Sequence, residues 1–217
     1  MLDFVIAVDG PAASGKGTVA SGLARRYGLP YLDTGTLYRA VGVAVLAAGA
    51  SPADAVAAEA AARALRLEDA APESLRTAAA GEAASQAAAH PGVRQALLEL
   101  QRAFAGQPGG AVLDGRDIGT VIAPEAPAKL FVTAAPEVRA ERRWKQLRGH
   151  GERLDYATVL DDIRRRDERD RGRAAAPLVQ AADAVLLDTS EMSISETADA
   201  ARRIVEAARA RWEASRG

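Results

Sequence analysis

One stretch constrains this chain more than any other: Asp9-Gly10-Pro11-Ala12-Ala13-Ser14-Gly15-Lys16-Gly17-Thr18. It follows the apolar run Phe4-Val5-Ile6-Ala7-Val8, which is short, rich in β-branched residues and closed by a Gly-Pro pair, and so predicts a buried strand. Beyond Gly15, apolar residues recur at helical spacing, at Val19, Leu23 and Tyr27. Strand, glycine-rich turn and helix in that order form the setting in which a loop wraps phosphate. Gly10 and Gly15 let the backbone turn its N–H groups inward. The helix N-terminus adds about half a positive charge, and Lys16 adds a full one. Residues Gly10, Pro11, Ala12, Ala13, Ser14, Gly15, Lys16, Gly17 and Thr18 are therefore expected to bind the phosphates of a nucleoside triphosphate. Lys16 is followed by Gly17, with the hydroxyl one place later at Thr18, so no direct hydroxyl ligand to Mg²⁺ stands at the usual place.

The length of 217 residues suits one α/β domain with a small insertion, and 48% hydrophobic residues suffice for a core. A net charge of −1 gives no overall electrostatic case for nucleic-acid or membrane binding. The positive charge is nearly all arginine, since Lys16, Lys129 and Lys145 are the only lysines, and arginine grips phosphate with two prongs. The absence of cysteine excludes disulfides and thiolate metal sites. No run reaches membrane-span length and the chain opens in a strand, so a cytoplasmic protein is expected.

Taken in order, Leu29–Leu32 predicts a second strand, ending at the Asp33-Thr34-Gly35 loop. A helix is expected from about Thr36, with Leu37, Val41, Val45 and Leu46 on its apolar side and Tyr38 and Arg39 in its first turn. Arg39 there opposes the helix dipole: it is either solvent-exposed or answers an anion at the loop. Residues 50–91 are alanine-rich, with Val56 and Thr77 their only β-branched members, and read as a helical insertion. One helix is expected to start at Ser51-Pro52, with Pro52 in its first position, and a second to run near Ser74–Ala89. Pro91-Gly92 breaks the chain, and Val93–Phe104 follows as an amphipathic helix with Ala96, Leu97, Leu100 and Phe104 inward. Ala111–Leu113 predicts a third strand ending at Asp114-Gly115-Arg116-Asp117. Ligands sit beyond the carboxyl ends of such strands, which puts Asp114 near Mg²⁺ and Arg116 and Asp117 beside it.

Lys129–Thr133 predicts a fourth strand, and Pro136 opens a helix carrying Arg139, Arg142 and Arg143. His90 and His150 read as exposed turn residues and make no metal site. A highly charged helix is expected over Leu154–Gly172. Its pattern reads equally as a solvated face laced with ion pairs or as a built site, with Arg166, Asp170 and Arg173 on one face holding a phosphate and a ribose hydroxyl. Ala184–Leu187 predicts a fifth strand, and Ser193-Ile194-Ser195-Glu196 a capping box opening the last helix, with Ala201, Ile204, Val205, Ala208 and Trp212 inward. The alternation predicts a five-stranded parallel sheet with helices on both faces.

A phosphate loop implies a nucleoside triphosphate but no particular reaction. No Asn/Thr-Lys-x-Asp run for reading guanine is present. Arg39, Arg116, Arg166 and Arg173 exceed what one triphosphate needs and suggest a second anionic substrate, such as a nucleoside monophosphate. Its attacking phosphate oxygen is already ionised, so positioning and charge neutralisation suffice. An alcohol acceptor such as shikimate would need a base, for which Asp33 or Asp117 could serve. A regulatory or nucleic-acid-binding module using the arginine helix is a third reading.

Four segments resemble bacterial cytidylate kinases, of the nucleoside monophosphate kinase type: Asp9–Thr18, Leu32-Asp33-Thr34-Gly35-Thr36-Leu37-Tyr38-Arg39, Asp114-Gly115-Arg116-Asp117-Ile118-Gly119-Thr120 and Arg166-Asp167-Glu168-Arg169-Asp170. The resemblance spans nearly the whole chain. It implies transfer of the ATP γ-phosphate to CMP or dCMP with Mg²⁺, held through water near Thr18 and Asp114. It implies Lys16, Arg116, Arg166 and Arg173 as catalytic residues, and Arg39, Arg116 and Arg166 around the acceptor phosphate. It also implies Asp170 on the ribose, Ser85, Arg94 and Asp117 on the cytosine edge, Thr34 and Tyr38 near the base, and Arg173 near the transferring group. Asp117 can accept from the cytosine N4 amino group while Arg94 donates to N3 and O2. The implied organisation is a core of residues 1–49, 92–148 and 176–217, a monophosphate-binding insertion of 50–91, and a lid with the arginine-rich helix over 149–175. Relatives often carry a small antiparallel sheet in the insertion, for which this one is short and poor in strand formers. A monomer binding small molecules, without nucleic acid or membrane, is expected.

Overall fold

The computed structural model describes residues 3–66, 75 and 77–216. Five parallel strands, β1 (Val5–Asp9), β2 (Tyr31–Asp33), β3 (Ala111–Gly115), β4 (Ala128–Thr133) and β5 (Val185–Asp188), form one sheet in the order β2-β3-β1-β4-β5. β1 and β3 are buried along their whole length, as parallel strands covered on both faces must be.

Alternation along β1 sorts the core into two layers. Val5 and Ala7 face α2 (Thr34–Ala47), α3 (Ala55–Ala64) and α5 (Pro91–Ala105). Ile6 and Val8 face α1 (Lys16–Tyr27) and α8 (Ile194–Ala214). A smaller cluster joins α6 (Pro136–Gly149) to α7 (Tyr156–Arg171) through Ala140, Leu147, Val159 and Ile163. The expected sheet with helices on both faces is what the chain forms. The Ser193–Glu196 capping box is present, each side chain taking the other's backbone N–H.

Several boundaries differ from expectation. β2 starts at Tyr31, because Gly28 caps α1 and the Leu29 N–H is spent on Ala24 O at 3.0 Å. α2 begins at Thr34 with no intervening loop, so Tyr38 and Arg39 lie past its first turn. Arg39 folds back onto Asp33 at 3.3 Å instead of opposing the dipole alone. Leu46 is 46% exposed, outside the core. Pro52 opens no helix: α3 starts at Ala55, capped by Asp54, whose carboxylate accepts from the Val56 and Ala57 N–H groups. The Pro52 carbonyl instead meets His90 Nε2 at 3.0 Å, so His90 is not the free turn residue expected, whereas His150 is exposed. α4 (Ala78–Ala87) is capped by Thr77, while the expected start at Ser74 lies outside the described residues.

Pro91 is the first residue of α5 and not a break, a position where its missing N–H costs nothing. The buried stripe of α5 is Val93, Leu97, Gln101 and Ala105, with Ala96, Leu100 and Phe104 only half-covered. α7 starts at Tyr156 and ends at Arg171, so Arg173 lies beyond it. Among the described residues, the insertion contains helices and no strand. No described helix is long and apolar enough to cross a membrane.

Candidate active site

β1, β2 and β3 end in Asp9, Asp33 and Asp114-Gly115 on one edge of the sheet, and the functional side chains gather beyond that edge. A Cβ on Gly10 would lie 2.0 Å from Val132 O, so no other residue fits there, and the loop can lie flat against β4 only with glycine. Gly10 and Pro11 are buried and line neither cleft described below. Ala13 adopts a left-handed backbone (φ 58°), a conformation alanine disfavours and one that collects where ligands bind.

Two clefts meet at the loop. One, of about 790 Å³, is lined by Ala12, Ala13, Lys16, Gly17 and Thr18 on the loop side. Thr34, Tyr38, Arg39, Ser85, Arg94, Arg116, Asp117, Arg166, Asp170 and Arg173 line the rest. Every residue expected at the acceptor is thereby brought together. The other cleft, of about 510 Å³, lies between α1, α6 and the start of α8. It is lined by Ala13, Ser14, Gly15 and Thr18 together with Arg142, Thr189 and Arg202. Arg143 lines both.

The larger cleft is an arginine cage with few counter-charges. Arg116 Nε donates to Asp170 Oδ2 at 2.8 Å and Arg173 pairs with Asp170 Oδ1. Burial alone would raise the Asp170 pKa, but Arg116 and Arg173 outweigh it and hold the carboxyl below its usual range. Arg173 thus returns to the site although it lies past the helix end. Arg166 is different: its Nε is buried without a partner, and no ion pair among the described residues includes it. Burial, and then the nearby Arg116, push its pKa down to about 10. A buried guanidinium among other guanidiniums is a position that an anion relieves.

In the same cleft, Arg94 Nη2 donates to Asp117 Oδ2 at 2.5 Å, with both side chains over nine-tenths buried, and the Arg94 guanidinium lies 5.5 Å from the Tyr38 ring centre. Thr34 donates its hydroxyl proton to the Asp114 carbonyl at 2.8 Å, so it offers the cleft only a lone pair.

On the loop side, Lys16 Nζ lies 4.0 Å from Asp114 Oδ2, and Tyr31 donates to Asp114 Oδ1 at 2.7 Å. Burial pushes Lys16 down and Asp114 up, each toward its neutral form. Asp114 Oδ2 faces Gly17, where an added Cβ would lie 3.8 Å from it, so the space beside the carboxylate stays open. Among the described residues, no group of three His, Cys, Asp or Glu side chains could hold a metal ion. One carboxylate, the Thr18 hydroxyl, water and substrate phosphates match the way Mg²⁺ is usually held.

Several contributors escaped the sequence reading. Asp9 lies 5% exposed and accepts from the Ile118 and Gly119 N–H groups, both at 2.8 Å. It thus anchors the π-helical turn Ile118–Ile122 that follows Arg116-Asp117. Tyr31 orients Asp114. Arg142 spans Ser14 O, at 3.3 Å, and Thr189 Oγ1, at 2.9 Å, bracing the loop from α6. Asp167, named from the sequence only as one member of the charged run, forms a buried pair with Arg139, 2.5 Å from Nη2. The signal available for these was the clustering of arginines after Pro136. Their partners are distant in sequence and gave none.

Fold and site together define a phosphate-loop kinase with a separate arginine-lined acceptor cleft. The chain belongs to the cytidylate kinase family, whose sequence model matches residues 6–207. It is 66% identical over 216 residues to "Cytidylate kinase" of Caulobacter sp. (strain K31), covering 100% of both chains. It is 67% identical over 207 residues to "Cytidylate kinase" of Xanthobacter autotrophicus, covering 95% of this chain and 99% of the relative. Among solved structures, an uncharacterized protein from Eubacterium ventriosum superposes with a TM-score of 0.55 at 14% identity, covering 94% of this chain and 98% of that one, which speaks to the fold.

Proposed function

We propose that this chain transfers the γ-phosphate of ATP to CMP or dCMP, giving ADP and CDP or dCDP. The observation that carries the reading is the pair of clefts meeting at the phosphate loop, one of them lined by Lys16 and by Arg166, whose guanidinium pairs with no carboxylate among the described residues. ATP occupies the smaller cleft with its phosphates on the loop residues Gly10–Thr18. The monophosphate occupies the larger one.

Arg39, Arg116 and Arg166 hold the acceptor phosphate, Asp170 the ribose, and Ser85, Arg94 and Asp117 the cytosine edge, beside Thr34 and Tyr38. The attacking oxygen is already ionised, so the protein has no proton to remove. Lys16, Arg116, Arg166 and Arg173 neutralise charge on the transferring group and bring the two phosphates into line. Mg²⁺, held near Thr18 and Asp114 partly through water, supplies neutralisation of the triphosphate oxygens when bound. The carboxylates that an alcohol acceptor would need as a base are committed elsewhere, Asp33 to Arg39 and Asp117 to Arg94, which favours a phosphate acceptor. Residues 50–91 form the acceptor lobe and 149–175 the lid with its arginine helix. The protein acts as a cytoplasmic monomer on small molecules, with no nucleic-acid or membrane partner.

The test is ADP release with ATP and Mg²⁺ against CMP, dCMP, UMP, AMP, GMP and shikimate. Turnover concentrated in CMP and dCMP is expected. Faster turnover of AMP, GMP or shikimate overturns the acceptor assignment. In the same assay Asp117→Asn should lower kcat/KM for CMP about tenfold or more, the scale of one charge-assisted base contact. Unchanged kcat/KM would remove Asp117 from the base site.

A further inference from the structure

Arg169 reaches from α7 across to α4 and takes hold of the residue expected at the base. Its Nη1 donates to Ser85 Oγ at 2.6 Å and to Glu82 Oε2 at 3.3 Å, and its Nη2 donates to Glu82 Oε1 at 2.9 Å. Gln86 donates to the same Glu82 oxygen at 3.0 Å. Burial works against ionisation of Glu82, but the bonds from Arg169 and Gln86 outweigh it and keep its carboxyl below the usual range. The guanidinium is therefore gripped on one edge by a carboxylate and presents its other prong to a hydroxyl. Ser85 is 4% exposed and lines the acceptor cleft, whereas Arg169 does not line it.

A serine hydroxyl has one proton and two lone pairs, and it normally rotates to suit whatever it meets. Arg169 occupies one lone pair of Ser85. The proton cannot turn toward Arg169, and among the described residues no acceptor for it is found, so it is satisfied only in the cleft and Ser85 meets a ligand there as a donor. Cytosine and uracil carry opposite donor and acceptor patterns at N3 and at the group on C4. A freely rotating hydroxyl accommodates either pattern, whereas one held by a cation is committed to a single arrangement.

We propose that Arg169, clamped by Glu82, is a positioning residue that fixes the rotamer and hydrogen-bond polarity of Ser85, and so sharpens discrimination of cytosine from uracil without touching the nucleotide. The proposal rests on the reading that Ser85 meets the base edge. It also couples the two ends of the acceptor, because Arg169 is the neighbour of Asp170 and lies one turn from Arg166 on the same helix. A purely structural role fits less well. The pair is 28% and 44% exposed, and screened pairs of that kind add little to stability. α4 is held independently by Arg143 Nη2 to Thr77 O at 3.1 Å and by Glu152 to the Ala78 N–H at 2.9 Å.

The experiment is a double-mutant cycle of Arg169→Ala and Ser85→Ala, read as the ratio of kcat/KM for CMP to that for UMP, with Glu82→Gln as a variant that loosens the clamp and leaves both partners in place. Each single change should lower the ratio up to about tenfold, the effect of ~1.4 kcal/mol, mostly through the KM for CMP and with the KM for ATP unchanged. In the Ser85→Ala background, Arg169→Ala should change the ratio by less than about twofold, because the residue it acts through is gone. Glu82→Gln should move the ratio in the same direction as Arg169→Ala. If Ser85→Ala lowers the ratio and neither Arg169→Ala nor Glu82→Gln does, the positioning role is wrong while the base site stands. If the two alanine effects multiply, Arg169 acts independently of Ser85. If Ser85→Ala itself leaves the ratio unchanged, Ser85 does not meet the base and the proposal falls with that reading.

Discussion

Lys16 and Asp9 stand within eight residues of one another and illustrate two uses of a buried charge. Burial and Arg116 disfavour the charge on Lys16, and under the proposed function the triphosphate is the partner that stabilises it. Lys16→Ala should lower kcat about 100- to 1000-fold, the usual loss when one preorganised charge is removed, with an unaltered circular dichroism spectrum. Near-normal turnover in that variant would contradict the phosphate-loop reading.

Asp9 touches no substrate-facing group, and its role is to hold the turn after Asp117. Burial raises its pKa from 3.8 to about 7, against the lowering effect of its two backbone bonds. Between those values the folded chain retains a proton that the unfolded chain has released. Stability from this group is thus complete below about pH 4 and is lost as pH rises toward 7. Calorimetry of the ligand-free protein should show Tm falling across that window, with the fall shallower in Asp9→Asn. Parallel curves for the two proteins would mean that Asp9 does not titrate there.

At the scale of elements, the acceptor cleft depends on how closely α4 packs on α2. A Cβ on Gly42 would lie 2.7 Å from the Ala83 carbonyl carbon and 2.8 Å from Ala83 Cβ, so the helices touch backbone to backbone. Gly42→Ala should force α4 outward, cost about 1–3 kcal/mol of stability and raise the KM for CMP, because Ser85 is two residues from Ala83. The KM for ATP should not follow, since α2 and α4 do not line the donor cleft. Equal rises in both would show that the strain spreads beyond the insertion. α8 is held at its start by the Ser193–Glu196 box, beside the smaller cleft that Ile194 and Thr197 line, and its inner face covers the sheet layer behind the loop.

For the whole molecule, the net charge of −1 conceals a strongly positive cleft. Six arginines and Lys16 line it against Asp33, Asp117 and Asp170. Such focusing raises the local concentration of anionic substrate. It also stores repulsion that binding releases. At a concentration of about 100 Kd, CMP should add ~2.7 kcal/mol of stability, which for a chain of this size raises Tm by about 5–10 °C. Arg166→Ala should lose most of that shift while leaving the ligand-free Tm equal or higher, since the variant removes an unpaired buried charge. A full shift in the variant would place the phosphate elsewhere.

The sequence by itself determined the phosphate loop, the five strands and their two-sided cover. These depend on local rules: β-branched runs, helical periodicity and glycine where the backbone closes on β4. It also supplied the arginines and carboxylates of the acceptor site as motif members. Tertiary structure decided how those charges are shared. That Asp170 takes Arg116 as well as its near neighbour Arg173 while Arg166 pairs with no carboxylate among the described residues, that Arg94 and Asp117 hold each other, and that Asp167 is buried on Arg139 follow from elements brought together across 23 to 54 residues of chain. The same is true of Arg169, which in sequence is one charge in a charged run and in space is the neighbour of Ser85, 84 residues away. Local pattern specifies which face of an element is apolar. The partner of each polar group depends on which elements the sheet order places side by side, and a charged run looks the same in sequence whether its neighbours are water or another helix.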